Sequence, residues 1–453
     1  MSTRFTSPVN LTVVGFCGLI AGGFVLLLLP VSAAGPGLPA IDALFTATSA
    51  CCVTGLTVVD TGRRLSLFGQ WIVLGLIQVG GLGFMSLSTV VILSLGGKFS
   101  FRKRQIIEDT FTSGPDHRLP SLIRSIVLFT LLFEGLGTGL LYLAWARKFP
   151  PATALYQALF HSVSAFCNAG FGLFSDSLMG FAADPLVCIT MGGLIIAGGI
   201  GFVVLMEIRL YLGGWILQRK PVAVSTHTRL VLAVTAVLLS AGTLWFLALE
   251  WDGALAGFST PLKVMTAGFQ SATARTAGFS TLDFGGAANA TLLFTILLMF
   301  VGAAPGSTGG GIKVTTLGVL SALAMARLRG REVTPLFRRS ISRNTEIKAI
   351  AVYSLSLVLI VSASLGILVV EGSTPAAATD RGQFIPLLFE TVSAFGTVGL
   401  SLGITSQLTP GAKLILTLVM FIGRLGPLTI AYAVSRQLTP PEYRYAEDKV
   451  MIG

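Results

Sequence analysis

One signature decides the fold of this chain, and its first copy reads Ser49-Ala50-Cys51-Cys52-Val53-Thr54-Gly55-Leu56. The other copies read Ser164-Ala165-Phe166-Cys167-Asn168-Ala169-Gly170-Phe171, Ala272-Thr273-Ala274-Arg275-Thr276-Ala277-Gly278-Phe279 and Ser393-Ala394-Phe395-Gly396-Thr397-Val398-Gly399-Leu400. Their glycines are separated by 115, 108 and 121 residues, so each copy occupies about a quarter of the chain. Such spacing indicates an internally repeated architecture. We place the units at residues 1–97, 98–220, 221–335 and 336–453.

The composition around these signatures is that of a membrane protein. Of 453 residues, 53% are hydrophobic and only 11% are charged, with a mean hydropathy of +0.82. Soluble domains carry about 25% charged residues. Several apolar stretches reach about 20 residues, enough to span a bilayer. The clearest are Val9–Leu29, Leu122–Ala144, Leu186–Met206, Leu230–Leu249 and Ile350–Val370. The first could be a signal peptide, but the repeat requires it as a retained helix.

Each signature lies in the same order of segments. An apolar helix is followed by a short amphipathic stretch, the signature, a polar loop and a second apolar helix. The first unit shows this order with Val9–Leu29, Leu38–Cys51 and Leu67–Leu95. The pattern predicts an all-α integral membrane protein in which four helix–pore loop–helix units, with eight spanning helices in all, surround a central ion pore.

The net charge is +11, and Lys and Arg cluster in three short segments between the units. Lys98–Arg124 holds six Lys and Arg residues, Arg209–Arg229 four and Arg327–Lys348 seven. Loops that remain in the cytoplasm carry such an excess, so the signatures should lie on the outer side. A basic surface for nucleic acid is a remote alternative, and we expect no nucleic-acid partner.

The sequence shows no constellation of an enzyme or a metal centre. The five cysteines lie in apolar context, without a CxxC pair or a Cys/His spacing typical of zinc. The histidines (His117, His161 and His227) form no triad, and a structural role is expected for them. We therefore expect a transport protein without an organic cofactor.

The signature has the properties of a selectivity filter. A segment too short to cross the membrane again must turn back, and its carbonyl groups need partners. A ring of carbonyl groups can replace the hydration shell of a cation, and glycine permits the positive φ that such a turn requires. The predicted ion-binding residues are Val53, Thr54, Gly55, Asn168, Ala169, Gly170, Thr276, Ala277, Gly278, Thr397, Val398 and Gly399. Close helix packing is the alternative role of these glycines.

The fourfold signature, with Cys52-Val53-Thr54-Gly55-Leu56 and Arg275-Thr276-Ala277-Gly278-Phe279, resembles the Ktr/Trk/HKT superfamily of potassium transporters over essentially the whole chain. Within it the chain is most similar to the KtrB-type membrane subunits. The resemblance implies K+ uptake across the plasma membrane, often stimulated by Na+, and a multi-pass homodimer with one pore per subunit. It also implies a cytoplasmic ring of RCK-type subunits that bind ATP or ADP. In plant HKT relatives a serine at the first filter glycine accompanies sodium selectivity, so Gly55 favours potassium.

A break in the third unit provides the candidate gate. The glycine-rich stretch Gly302–Lys313 cannot sustain a helix, although apolar helix lies on both sides. The resemblance implies an intramembrane loop that obstructs the pore. The candidate gate residues are Gly302, Pro305, Gly306, Gly309, Gly310, Gly311, Lys313 and Arg424. A purely structural kink is the open alternative. A phosphate-binding loop is disfavoured because Ile312 precedes Lys313 and no strand comes before it.

Charges at membrane depth are functional candidates. We hypothesise that Arg424, read as lying in mid-helix, repels cations below the filter and holds the gate; the alternative is a packing arginine bonded to carbonyl groups. Arg275 lies three residues before Gly278, and we expect it to pair with a carboxylate behind the filter, with Glu390 as the candidate.

Three aspartates follow filter glycines by five or six residues: Asp60, Asp176 and Asp283. They are expected either to form a negative outer vestibule or merely to bond the local backbone of turns. The sequence leaves these two possibilities open.

Three functions remain open at this stage. The first is a channel-like path for potassium. The second is a sodium-selective or alternating-access transporter, which the broken helix near Gly302 would also fit. The third is a non-conducting scaffold for a cytoplasmic partner.

Overall fold

The computed structural model describes residues 8–83, 119–216, 224–372 and 384–427. Most of the basic segment Lys98–Arg124 and the end of the predicted helix Leu67–Leu95 lie outside these residues. The described helices are α1 (Pro8–Leu28), α2 (Ala40–Cys51), α3 (Thr61–Arg64), α4 (Leu67–Leu82), α5 (Leu119–Trp145), α6 (Pro151–Phe166), α7 (Pro185–Ile200), α8 (Phe202–Ile216), α9 (Thr226–Glu250), α10 (Thr260–Thr273), α11 (Asn289–Phe300), α12 (Val314–Leu328), α13 (Arg343–Gly372), α14 (Phe384–Gly396) and α15 (Pro410–Leu425). Strands β1 (Pro335–Leu336) and β2 (Arg339–Ser340) form a small antiparallel hairpin, with Pro335 opposite Ser340.

Three of the described helices are long and apolar enough to cross a membrane: α5, α9 and α13. The bent pair α7–α8 makes a fourth if it is counted as one span. The stretch Leu186–Met206, expected to span the bilayer as a helix, is divided between α7 and α8. The chain turns by 101° at Gly201, where a φ of +95° ends α7, because glycine readily takes this left-handed conformation at a helix end.

The short helices α2, α6, α10 and α14 form the centre of the molecule. Each packs against the long helix before it. Each also packs against a helix from another quarter of the chain, in the pairs α4–α6, α7–α10, α11–α14 and α15–α2. The last pair joins the two ends of the chain, so these contacts close on themselves. An ion pair of 2.9 Å between Asp42 of α2 and Lys413 of α15 strengthens the closure.

The distribution of apolar residues follows from this arrangement. Aromatic side chains of the short helices and signatures are fully buried, among them Phe45, Phe160 and Phe395. The long helices instead expose large apolar side chains, such as Leu244 at 67% and Val358 at 63%. A soluble protein would not expose so much apolar surface, so the outer surface fits contact with lipid.

Candidate functional site

The four signatures share one backbone conformation. In each, φ is positive at the glycine and also two residues earlier. The values are +56° and +88° at Val53 and Gly55, +58° and +69° at Asn168 and Gly170, +80° and +76° at Thr276 and Gly278, and +48° and +91° at Thr397 and Gly399. Positive φ is costly for residues other than glycine and concentrates at functional sites. An alternation of handedness turns successive carbonyl groups toward one side of the segment.

The amide groups of the signatures point back to the short helices. The N–H group of the residue before each glycine donates to a carbonyl near the end of its helix. These bonds are Thr54 to Ser49 at 2.8 Å, Ala169 to Ser164 at 2.7 Å, Ala277 to Thr273 at 3.0 Å and Val398 to Ser393 at 2.9 Å. Among the described residues, no donor reaches the carbonyl oxygens of the twelve predicted filter residues. These acceptors, most of them in buried residues, are therefore available to a ligand that brings positive charge.

The four glycines meet in a ring. A Cβ atom added to each one would strike the carbonyl oxygen before the glycine of the next copy. The pairs are Gly55 with Ala169 at 2.5 Å, Gly170 with Ala277 at 2.9 Å, Gly278 with Val398 at 2.5 Å, and Gly399 with Thr54. Every glycine is thus required for close approach as well as for its positive φ. The structure brings together all the signature residues that the sequence selected, and we call this arrangement the carbonyl ring.

An open cavity of about 360 Å³ lies against one side of the carbonyl ring, lined by all four glycines. Asp60, Asp176 and Asp283 also line it. Each also bonds its local backbone: Asp60 accepts from Gly62 N at 2.9 Å, Asp176 from Gly180 N at 3.1 Å and Asp283 from Gly285 N at 2.9 Å. The aspartates can therefore bond the local backbone and, at the same time, place negative charge in the cavity.

The interruption of the third unit is present, since α11 ends at Phe300 and α12 begins at Val314. The segment between them, 301–313, is called the inner loop. Its base is closed by a bond from Gly302 N to Ile312 O at 2.8 Å. Gly310 N donates to Thr397 Oγ1 at 3.0 Å, so the loop directly touches the fourth signature. Side-chain atoms of Thr276 also lie against Gly309.

The inner loop is also tied to two other quarters of the chain. Ala304 N donates to Gly199 O at 3.0 Å, and Thr308 Oγ1 donates to Phe166 O at 3.2 Å. Gly311 N donates to Gly423 O at 3.3 Å. The carbonyl groups at the end of a helix lack hydrogen-bond partners within that helix. Here the inner loop supplies donors to several such carbonyl groups.

Arg424 connects the inner loop to the first quarter of the chain. It lies in the last turn of α15, which ends at Leu425, so its assignment to mid-helix is wrong; the turn at Gly426, with φ +87°, ends the helix. Its guanidinium donates to Thr308 O, and to Gly80 O at 2.5 Å. A cation fits here because Gly80 lies in the last turn of α4, at the negative end of a helix dipole.

Lys313 adds a second positive charge beside the same loop. Its ammonium donates to Gly309 O at 2.7 Å and to Gly310 O at 3.4 Å. Both cations of the predicted gate therefore hold the loop by its carbonyl groups. Among the described residues, neither forms an ion pair with a carboxylate.

The predicted pair of Arg275 and Glu390 is wrong. Glu390 accepts instead from Ser401 Oγ at 2.6 Å, Leu402 N at 3.1 Å and Thr405 Oγ1 at 2.8 Å. These bonds hold the chain that follows the fourth signature. Arg275 donates to Thr235 O of α9 at 3.2 Å. A carboxylate surrounded by hydroxyl and amide donors does not need a cation to be satisfied.

His161 has a structural position, as expected. Its Nδ1 lies 2.8 Å from Gln157 O, and Leu173 N donates to Nε2 at 3.3 Å. The imidazole of His161 thereby joins α6 to the segment after the second signature. Over the described ranges, no group of three His, Cys, Asp or Glu residues is arranged to hold a metal ion.

Sequence reasoning missed one recurring feature of the helices that follow the signatures. Three of them end in the pattern Gly-x-x-Gly, where the last glycine has positive φ: Gly80 to Gly83, Gly198 to Gly201 and Gly423 to Gly426. The first glycine of each pattern lies against the carbonyl of a short helix, at Cys51, Phe166 and Phe395. The fixed spacing of these glycines was the available signal.

The fold and site together define a helical membrane protein whose centre is a ring of carbonyl groups, unpaired among the described residues, with a glycine-rich loop against it. The family model described as "Cation transport protein" (TrkH) matches residues 13–444. The chain therefore belongs to the TrkH family of cation transport proteins.

Comparisons with individual proteins agree with this assignment. The chain is 39% identical to Ktr system potassium uptake protein B of Bacillus subtilis, over 99% of this chain and 97% of that protein. It is 35% identical to potassium/sodium uptake protein NtpJ of Enterococcus hirae, over 99% and 97%. The crystal structure of the potassium transporter TrkH from Vibrio parahaemolyticus matches with a TM-score of 0.73, over 96% of this chain and 86% of that one. At 19% identity, that match shows the shared fold.

Proposed function

We propose that this chain is a potassium-uptake subunit in which K+ crosses the membrane through the carbonyl ring. The observation that carries the proposal is the close approach of Gly55, Gly170, Gly278 and Gly399, with unpaired carbonyl groups beside them. Oxygen ligands from backbone can replace the water shell of a dehydrated cation. The similarity to a potassium uptake protein of Bacillus subtilis supports the same ion.

The proposed architecture is a pore surrounded by four pseudo-repeated helix–pore loop–helix units, at residues 1–97, 98–220, 221–335 and 336–453. The closed circle of contacts between short helices and their neighbours supports it. In each unit the C-terminal end of the short helix faces the signature, so its negative dipole end favours a cation at the centre. The aspartate-lined cavity would then be the outer vestibule, and the inner loop would lie on the cytoplasmic side.

The inner loop, with Lys313 and Arg424, is the proposed gate. In the described state it lies against Thr276 and Thr397 of the filter. Two positive charges beside the path oppose the passage of a cation. Opening requires the bonds from Gly310, Gly311 and Thr308 to break. Each such bond contributes about 0.5–1.5 kcal/mol, so a partner that supplies several kcal/mol could open the gate.

The resemblance extends the proposal to an assembly in the cell membrane. We infer a multi-pass homodimer with one pore per subunit, regulated by a cytoplasmic RCK-type ring that binds ATP or ADP. Stimulation by Na+ belongs to the same inference. Purified chain alone would then show a basal K+ flux, which the RCK-type ring and its nucleotide would raise.

A second candidate function is transport of Na+ as well as K+. The relative named potassium/sodium uptake protein, at 35% identity, favours it. The flanks of the filter glycines also differ between signatures: Thr54, Ala169, Ala277 and Val398. A filter with unequal sides would discriminate less strictly than one with four identical sides.

Flux of K+ and Na+ into proteoliposomes tests the proposal. Wild-type protein is compared with Gly55→Ser, because a serine side chain would meet the Ala169 carbonyl oxygen. Gly75→Ser is the matched control, since nothing lies within 4 Å of its added Cβ. We expect K+ flux in the wild type and in the control, and loosened selectivity in Gly55→Ser. K+ flux that depends on a coupled second substrate would contradict a channel-like path. Flux and selectivity that Gly55→Ser leaves unchanged would contradict a filter at this position.

A further inference from the structure

One charge distinguishes the third signature from the other three. Three residues before the glycine, the signatures carry Cys52, Cys167, Arg275 and Gly396. The carbonyl ring is therefore similar in backbone but unequal in charge. Arg275 is neither one of the twelve predicted filter residues nor one of the cations that bond the inner loop.

Arg275 is a buried cation whose charge no carboxylate balances among the described residues. The residue is 7% exposed. Its Nη1 donates to Thr235 O at 3.2 Å, while its buried Nε has no hydrogen-bond partner. No carboxylate within the described part of the chain forms an ion pair with it. A buried charge is screened only weakly by water or salt, so its field reaches neighbouring groups.

Arg275 directly follows the end of α10 in the chain. This helix ends at Thr273, and Arg275 N donates to Ala272 O at 3.2 Å, in the turn that closes it. A helix C-terminus carries about half a negative elementary charge, which a nearby cation offsets. The corresponding turns after α2 and α6 contain the neutral residues Cys52 and Cys167, and α14 ends at the neutral Gly396. Three helix ends therefore attract a cation at the ring, while the fourth is neutralised.

We propose that Arg275 is a specificity-determining residue that weakens cation binding in the carbonyl ring. Its charge offsets the negative end of α10 and repels an ion from the third side. A weaker site releases ions faster, and conduction requires a site that ions can leave. This inference rests on the proposed function, since it assumes that cations occupy the ring.

The expected effect is large enough to measure. For unit charges about 10 Å apart at an effective dielectric constant of about 20, Coulomb's law gives a change in the binding constant on the order of tenfold. Removal of the charge should therefore tighten K+ binding by about tenfold. Loss of a purely structural arginine would have the opposite sign, because a disturbed filter binds its ion less well.

The test compares full-length wild type with Arg275→Gln, Arg275→Met and Arg275→Lys. Binding of K+ is measured as the K+-dependent rise in melting temperature of the purified protein, with choline as the reference cation. Flux is measured in proteoliposomes as KM and maximal rate. Cys52→Ser, a neutral change at the matching position, is the control.

We expect both neutral variants to bind K+ about tenfold more tightly, with a lower KM and a lower maximal rate, by the Coulomb estimate above. Arg275→Lys and Cys52→Ser should behave like the wild type. Unchanged or weaker binding in folded neutral variants would overturn the inference. Failure of both neutral variants to fold, while Arg275→Lys folds, would assign the charge to structure and also overturn it. Absence of K+ binding and of flux in the wild type would instead contradict the proposed function itself.

Discussion

The carbonyl ring and the inner loop lie in contact, yet they are built in opposite ways. The ring uses one backbone conformation four times, with positive φ at matching positions. The inner loop occurs once, and its bonds go to unrelated partners: Thr397, Phe166, Gly199 and Gly423. The ring repeats one close glycine contact between successive signatures, whereas the loop is held by a few hydrogen bonds to different partners. We propose that the ring is a rigid element for selectivity and that the loop is a movable element for gating.

The largest effect is expected from a change in the ring. A Cβ added at Gly278 would lie 2.5 Å from Val398 O, at a residue with φ +76°. Strain of about 1–3 kcal/mol per residue should distort the ring, and we expect Gly278→Ala to lose most K+ flux in proteoliposomes. Gly193→Ala, where nothing lies within 4 Å of the added Cβ, is the control and should retain flux. Equal flux in both variants would contradict the rigidity of the ring.

A smaller change of opposite sign is expected from Arg424→Ala. The guanidinium joins Thr308 of the inner loop to Gly80 of α4. Hydrogen bonds to charged groups contribute about 1.5–3 kcal/mol each, so their loss should favour the open state. We expect flux without a partner to rise by at least about tenfold, since the loss of even one such bond favours the open state by that factor. Arg327→Ala serves as the control, because this arginine is half-exposed and lies at the end of α12. A variant with unchanged flux and unchanged response to a partner would refute the gating role.

The sequence predicted the ring better than the parts around it. The signatures were visible because glycine is needed at one position and the order of segments repeats. The partners of Arg275 and Glu390 were not predictable, because they depend on contacts between residues distant in sequence, such as Thr235 with Arg275. The bend at Gly201 was missed because the flanking residues are equally apolar on both sides.

A moderate effect is expected where the two regions touch. Thr397 has positive φ in the ring, and its hydroxyl accepts from Gly310 N of the inner loop. Thr397→Val removes this acceptor at similar volume, which should weaken the closed state by about 1 kcal/mol. Partner-independent K+ flux should rise severalfold, with the K+/Na+ preference unchanged. A change of preference without a change of flux would place the hydroxyl in selectivity rather than in gating.

The smallest effect is expected in the outer cavity. Asp176 and Asp283 line it beside the ring, and each bonds one backbone amide. The double variant Asp176→Asn, Asp283→Asn keeps acceptors in place but removes two negative charges. Apparent K+ affinity should fall by a few fold at low ionic strength and less at high salt, because salt screens exposed charges. An unchanged affinity at low salt would restrict these aspartates to a structural role.

The central claim is that a cation binds inside the carbonyl ring. Anomalous X-ray scattering from crystals of the full chain grown with Rb+ or Tl+ in place of K+ tests it directly. We predict an anomalous peak on the axis between the carbonyl oxygens of Thr54, Ala169, Ala277 and Val398, which Gly278→Ala should weaken or remove. A ring without such a peak in crystals that show these ions elsewhere in the molecule would contradict the claim.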